Sequence, residues 1–186
     1  DKDYQLAAGI SQDVEADDSI LELTKARLPW LVLALFGGFI SVKIFGLFEP
    51  IMDNHPKLFL FTPLIAAMAG NVGVQSSAII VQGIANNTII GPVVERLLKE
   101  LSLSLLNGVI LSVILLAGSY FLLGYEIHVG YTVAIALLSV IIMASLIGTF
   151  IPIILNKYGV DPALATGPFI TTSNDILGIL TYFTIA

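Results

Sequence analysis

Two ionisable side chains stand deep inside the long apolar runs of this sequence, Lys43 and Asp175. An ionised group at the centre of a membrane-spanning helix costs at least ~2.5–3.5 kcal/mol on insertion scales, so such groups mark function first. Lys43 falls within a turn or two of the outer end of its run, where its stem can snorkel to the headgroups. Asp175 has no such escape. It follows Asp161 by 14 residues and precedes the chain end by 11. One continuous helix would carry it ~21 Å from Asp161, past the midplane. On such a helix Gly167, Thr171, Asn174, Gly178 and Tyr182 share its face, while Phe169, Ile170, Ile176, Ile179 and Leu180 form the greasy remainder. A stripe this small and polar is expected to face a water-filled cavity. The competing expectation is a lone Asp hydrogen-bonded inside a packed bundle. Pro168 removes a backbone donor and crowds the carbonyl of Leu164, which would free carbonyls near Gly167 for a ligand.

A second polar concentration runs from Pro63 to Ala78. Ala66, Gly70, Gly73 and Ser77 form a small face that permits close helix approach. Asn71, Gln75, Ala78 and Gln82 form a neutral polar face beside it, suited either to lining a pathway or to interhelical hydrogen bonds. Asn107 and Pro152 are single features, read as packing glue and a kink. The available ligands are one carboxylate, hydroxyls, amides and carbonyls. Such hard oxygens suit Mg²⁺, Ca²⁺ or Mn²⁺ rather than zinc or copper. One carboxylate is too little to cage Mg²⁺, which gives up water reluctantly. A two-fold dimer would bring two copies of Asp175 together, repelling unless a dication or a proton lay between them. A cation that keeps its inner waters, held by Asp175 and by outer hydrogen bonds to Thr171 and Asn71, avoids dehydration altogether.

The elements that must position these groups follow from composition. The 186 residues are 56% apolar and 12% charged, with a mean hydropathy of +0.94. A soluble domain carries about twice that charged fraction. The expected fold is all-α, a polytopic membrane protein with five spans at about 29–48, 58–85, 97–123, 129–155 and 162–186, each near the ~20 residues or more that a crossing needs. Residues 1–27 are expected to form a cytoplasmic acidic linker, and 28–186 the membrane domain. Asp18 or Ser19 can cap a helix with Glu22 in its first turns, giving either an amphipathic helix under the bundle or a solvated linker. No short cleavable signal precedes the first run, so it is expected to remain as a span. An opening on Asp-Lys-Asp rather than Met points to a trimmed chain.

Charge sets the orientation. With a cytoplasmic N-terminus that side collects Lys2, Lys25, Arg27, Arg96, Lys99 and Lys157, leaving only Lys57 on the other. Five spans then put the C-terminus outside a plasma (inner) membrane. A net charge of -6 disfavours nucleic acid. The absence of Cys rules out disulfides, zinc-thiolate sites and cysteine nucleophiles.

Two stretches resemble the MgtE magnesium channels and their eukaryotic solute-carrier relatives: Pro63 to Gln75 with Ser76-Ser77, and Asp161 to Asp175. Arg27-Leu28-Pro29-Trp30-Leu31 is similar to the start of that family's first span. The resemblance covers about Ile20 to Ala186. It implies a homodimer of ten helices around a central pore, in which Asp175 holds hydrated Mg²⁺. It further implies that carbonyls near Gly167 and Thr171, together with Gly70, Asn71 and Gly73, complete that site. Asn174, which helical spacing puts on the Asp175 face, is counted with them as a candidate metal-site residue. Asp161 matches an acid at the cytoplasmic mouth, where regulatory Mg²⁺ sits between the pore domain and a preceding helix. Asp17, Asp18 and Glu22 could belong to that helix. The soluble N-terminal and CBS regulatory domains of the bacterial channels are missing from this sequence. Gly167 stands where some members carry Asn, and Thr171 where some carry Ala.

Three functions compete on the residues. The first is transport of Mg²⁺, with Mn²⁺ or Ca²⁺ as further cargo, through a channel or a Na⁺- or H⁺-coupled exchanger; coupling would need a second site. The second is an intramembrane aspartyl protease, disfavoured because no span holds Tyr-Asp or Gly-x-Gly-Asp. The third is a structural membrane subunit whose polar stripes only glue helices. The chain is expected not to be an enzyme.

Overall fold

The structure is a computed structural model describing residues 2–11, 13–89, 91–165 and 167–186. Among the described residues all regular structure is helical: α1 (Lys2–Ala7), α2 (Ile20–Asn54), α3 (Pro56–Phe59), α4 (Thr62–Ala85), α5 (Val93–Phe121), α6 (Ile127–Lys157), a 3₁₀ turn (Pro162–Ala165) and α7 (Pro168–Ile185). Four helical stretches, Ile20–Ile51, Pro56–Ala85, Val93–Phe121 and Ile127–Lys157, are long and apolar enough to cross a membrane. α7, 18 residues between its Gly167 cap and Ala186, is less apolar than these four because it holds the polar run Thr171-Thr172-Ser173-Asn174-Asp175.

α2 starts at a reciprocal cap. Ser19 Oγ accepts from the Glu22 amide at 3.4 Å, and the Ser19 amide donates to Glu22 Oε2 at 3.1 Å. From Ile20 the helix continues without a break past Pro29 and into the first apolar run. The residues from Asp13 to Asp18 form no helix and are largely exposed. α1 folds back under the bundle. Gln5 brackets Val14, donating to its carbonyl at 2.7 Å and accepting from its amide at 3.1 Å, and the Ser11 amide donates to the Ala26 carbonyl at 2.9 Å.

α6 is the central post, packed against α4, α5 and α7. Its apolar face (Val133, Leu137, Val140, Ile141, Ala144) meets Ile65 and Ala69 of α4 and Ile179 of α7 in the core. Glycines let these backbones approach. A Cβ on Gly148 of α6 would land on the Gly73 carbonyl of α4. The α5–α6 pair is tied by Ser112 Oγ, which donates to the Ala134 carbonyl at 2.8 Å. At one end of the bundle Phe45, Phe48, Phe59 and Phe183 stack edge and face, and the buried Tyr182 hydroxyl donates to the Leu58 carbonyl at 2.6 Å. Lys57 and Glu126 pair at 3.5 Å on the same end, so the turns after α2 and before α6 share a side as the threading requires.

Two local expectations change. Asn107 is exposed on α5 rather than packed between helices of its own chain. Pro168 does not sit inside a helix, removing a donor and freeing the carbonyl of Leu164, but begins one: it is the first residue of α7, where its missing N–H would be unpaired anyway.

Candidate cation-conducting site

α7 carries the carboxylate, and its start explains where the carboxylate sits. Gly167 caps the helix at φ 64° and ψ -132°, a conformation that side chains resist, and a Cβ there would strike the Ala7 carbonyl of α1. The chain reaches this turn through the 3₁₀ segment, itself capped by Asp161, whose Oδ1 accepts from the Ala163 amide at 2.9 Å. Asp175 is therefore the eighth residue of an 18-residue helix. It stands ~10 Å past Pro168 and just short of the helix centre, nearer the helix start than one unbroken helix from Pro162 would place it. The Gly167 carbonyl is engaged by the first turn, accepting from the Thr171 amide and the Thr171 hydroxyl, each at 3.0 Å. Each carbonyl oxygen has two lone pairs, and these two bonds point along the helix.

The expected small-and-polar stripe divides. Thr171 and Asp175, with Gly167, Pro168 and Thr172, border an open groove of about 430 Å³ whose other wall is Trp30, Ala34, Gly37 and Ser41 of α2. Asn174, Gly178 and Tyr182 turn the other way and are buried against the bundle. The reason is the tight seam with α4. Gly178 faces Ala69, Asn174 fills the space left by Gly73, and Thr171 and Asp175 lie against Gly70. On α2, Gly37 plays the same part for Thr172. Half the stripe thus borders open space and half is packing.

The two faces of α4 separate as their sequence pattern suggests. Gly70, Gly73 and Ser77 are buried, whereas Asn71, Gln75, Ala78 and Gln82 are exposed on the surface of the single chain. The amides of Asn71 and Gln75 are thus turned away from the chain's own helices. Lys43 is exposed on α2. Thr166, part of the second motif, lies outside the described residues. Among the described residues no group of three or more acids and histidines gathers as a metal cage.

One ionisable group escaped the reading of the sequence. Half-buried Glu100 of α5 accepts from the buried Ser76 Oγ of α4 at 2.6 Å. The Lys99-Glu100 pair looks like the charged flank of a span, so the local sequence carries no signal for its inward turn.

A family model for divalent cation transporters matches residues 62–185, from the start of α4 to the end of α7, and so takes in both walls of the Gly70–Asp175 seam. The chain belongs to the MgtE divalent cation transporter family. Proteins named as the magnesium transporter MgtE are similar over essentially the whole chain. That of Bacillus subtilis is 38% identical over 187 residues, covering 100% of this chain and 41% of the relative. That of Enterococcus faecalis is 34% identical, covering 99% and 40%, and that of Thermus thermophilus 30% identical, covering 97% and 40%. The chain therefore spans about two fifths of the length of these MgtE relatives. They are named as transporters, not as enzymes.

Proposed function

We propose that this chain forms the conducting part of a magnesium transporter, in which two copies meet about a two-fold axis and a hydrated dication passes along α7 and the exposed amide face of α4. The observation that carries the reading is the open groove bordered by Asp175, Thr171 and Gly167 beside Gly70, in a member of a divalent cation transporter family. α7 serves as the fifth span, and its polar middle is tolerated because it lines water instead of lipid.

Each residue then has a task. Asp175 supplies the negative charge, and its partner copy would repel it unless a dication neutralised both. Thr171 borders the same groove, although its own hydroxyl proton is spent on the Gly167 carbonyl. It therefore offers a lone pair to a proton of ion-bound water. Asn71 offers an amide of either polarity from α4. No inner-sphere cage is required, which suits Mg²⁺ because it sheds water slowly. Gly70 and Gly73 act by letting the carboxylate-bearing helix come close, not as ligands. Asp161 holds the 3₁₀ turn before α7, and its exposed side chain is the group that meets a divalent ion at the mouth. We take the N-terminus as cytoplasmic from the Lys and Arg distribution.

The deciding experiment is Mg²⁺ uptake into liposomes by Asp175→Asn. The substitution keeps size and removes charge, so flux should fall to the level of empty liposomes while helix content stays. Wild-type flux in that variant would reject the pore assignment.

A further inference from the structure

Most buried hydroxyls of this chain have visible partners. Thr62, Ser104, Ser112, Ser119 and Ser145 donate to backbone carbonyls and Ser76 to Glu100. The exceptions among the described residues are Ser77 of α4, Thr149 of α6 and Asn174 of α7, whose side-chain oxygens, and for Asn174 the nitrogen too, are buried with no hydrogen-bond partner. All three residues are 0% exposed. They come from three different helices whose backbones meet at Gly73, with Ser77 and Thr149 placed there by their chain neighbours. Asn174 fills the space at Gly73, Gly148 touches the Gly73 carbonyl, Ser77 follows Gly73 by one turn, and Thr149 follows Gly148.

Neither hydroxyl uses the outlet open to it, the carbonyl one turn back in its own helix. An orphaned buried polar group is costly, and native structures resolve nearly all of them with protein or ordered solvent. The donor set identifies the ligand. The Asn174 nitrogen can only donate, which repels a cation, while its oxygen and the two hydroxyls can accept. No carboxylate belongs to the cluster, so a divalent ion lacks its counter-charge. A molecule that both donates and accepts, and that takes two to four partners, is water.

We infer that the joint between α4, α6 and α7 is a binding site for internal water, held by Ser77, Thr149 and Asn174 behind the carboxylate-bearing face of α7. Asn174 precedes Asp175, so at this level the helix that presents the carboxylate is fastened to its neighbours through solvent, while its far end is held directly by the Tyr182–Leu58 bond. This follows from the packing of one chain and does not depend on which ion is carried.

The test uses the full-length protein in lipid nanodiscs without divalent ions. Ser77→Ala and Thr149→Val remove one hydroxyl each and nearly keep shape. Bound water predicts that each lowers the thermal unfolding midpoint, and that the double variant loses less than the sum because the two share solvent. Unchanged or raised midpoints would overturn the inference, since deleting an unpaired buried hydroxyl relieves a penalty. Water-to-protein magnetisation transfer in solid-state NMR gives an independent reading on the wild type. Transfer to the Asn174 side-chain amide is expected, and its absence there, with transfer seen to the exposed Asn71 amide, would equally reject the site.

Discussion

The Asp175 carboxylate lies directly against the backbone of Gly70: a methyl group added at Gly70 would come within 3.3 Å of Asp175 Oδ1 and of Thr171 Cγ2. The glycine of α4 and the acid of α7 are thus one structural unit. What either residue can do depends on the other.

Gly70→Ala should perturb transport more than folding. Contact at that distance asks the Asp175 and Thr171 side chains to yield by a few tenths of an ångström, and both border the open groove into which they can move. Mg²⁺ flux in liposomes is expected to drop several-fold with an unfolding midpoint close to wild type. A variant with full flux would show that the seam does not set the carboxylate's position.

Gly148→Ala should do the reverse. Its added carbon meets the Gly73 backbone, which has no rotamer to change. Overpacking of this kind costs about 1–3 kcal/mol. Gly46 of α2 makes the control, because nothing lies within 4 Å of its added carbon. Thermal unfolding in detergent should separate the pair, with Gly148→Ala well below wild type and Gly46→Ala level with it or above.

Tyr182→Phe deletes only the hydroxyl that donates to the Leu58 carbonyl at 2.6 Å. The ring keeps its place beside Phe183. A loss of about 1 kcal/mol is expected, the net worth of one such bond. No loss in chemical unfolding would mean that the Leu58 carbonyl finds another donor at that end of the bundle.

Gly167→Ala combines an unfavourable backbone conformation with a collision at the Ala7 carbonyl. Strain of this type costs on the order of 1–3 kcal/mol. The cheapest relief is for α1 to leave the start of α7, so the bonds that Gln5 makes to Val14 and Ser11 to Ala26 should open. Amide hydrogen exchange across residues 5–14 reads this directly. Unchanged protection would place the strain elsewhere.

Much of this protein is written along the chain. Long apolar runs broken by Gly, Pro and Asn fix its helices, because in lipid a backbone must satisfy itself segment by segment. The Ser19–Glu22 cap is legible for the same reason: its partners are three residues apart. The separation of α4 into a buried glycine face and an exposed amide face follows from helical periodicity, and Asp175 stands out because the last helix holds no other acid. Partnerships across helices are not periodic, and there the sequence falls silent. Spacing put Asn174, Gly178 and Tyr182 on the Asp175 face, but width and direction of that face depend on which neighbour comes closest. The tertiary structure decided that Gly73 receives Asn174, that Gly148 presses on Gly73, that Glu100 turns inward to Ser76, and that α1 rests on Gly167. Each is a contact between residues far apart in the chain, set by how closely two backbones can pack and not by any local preference.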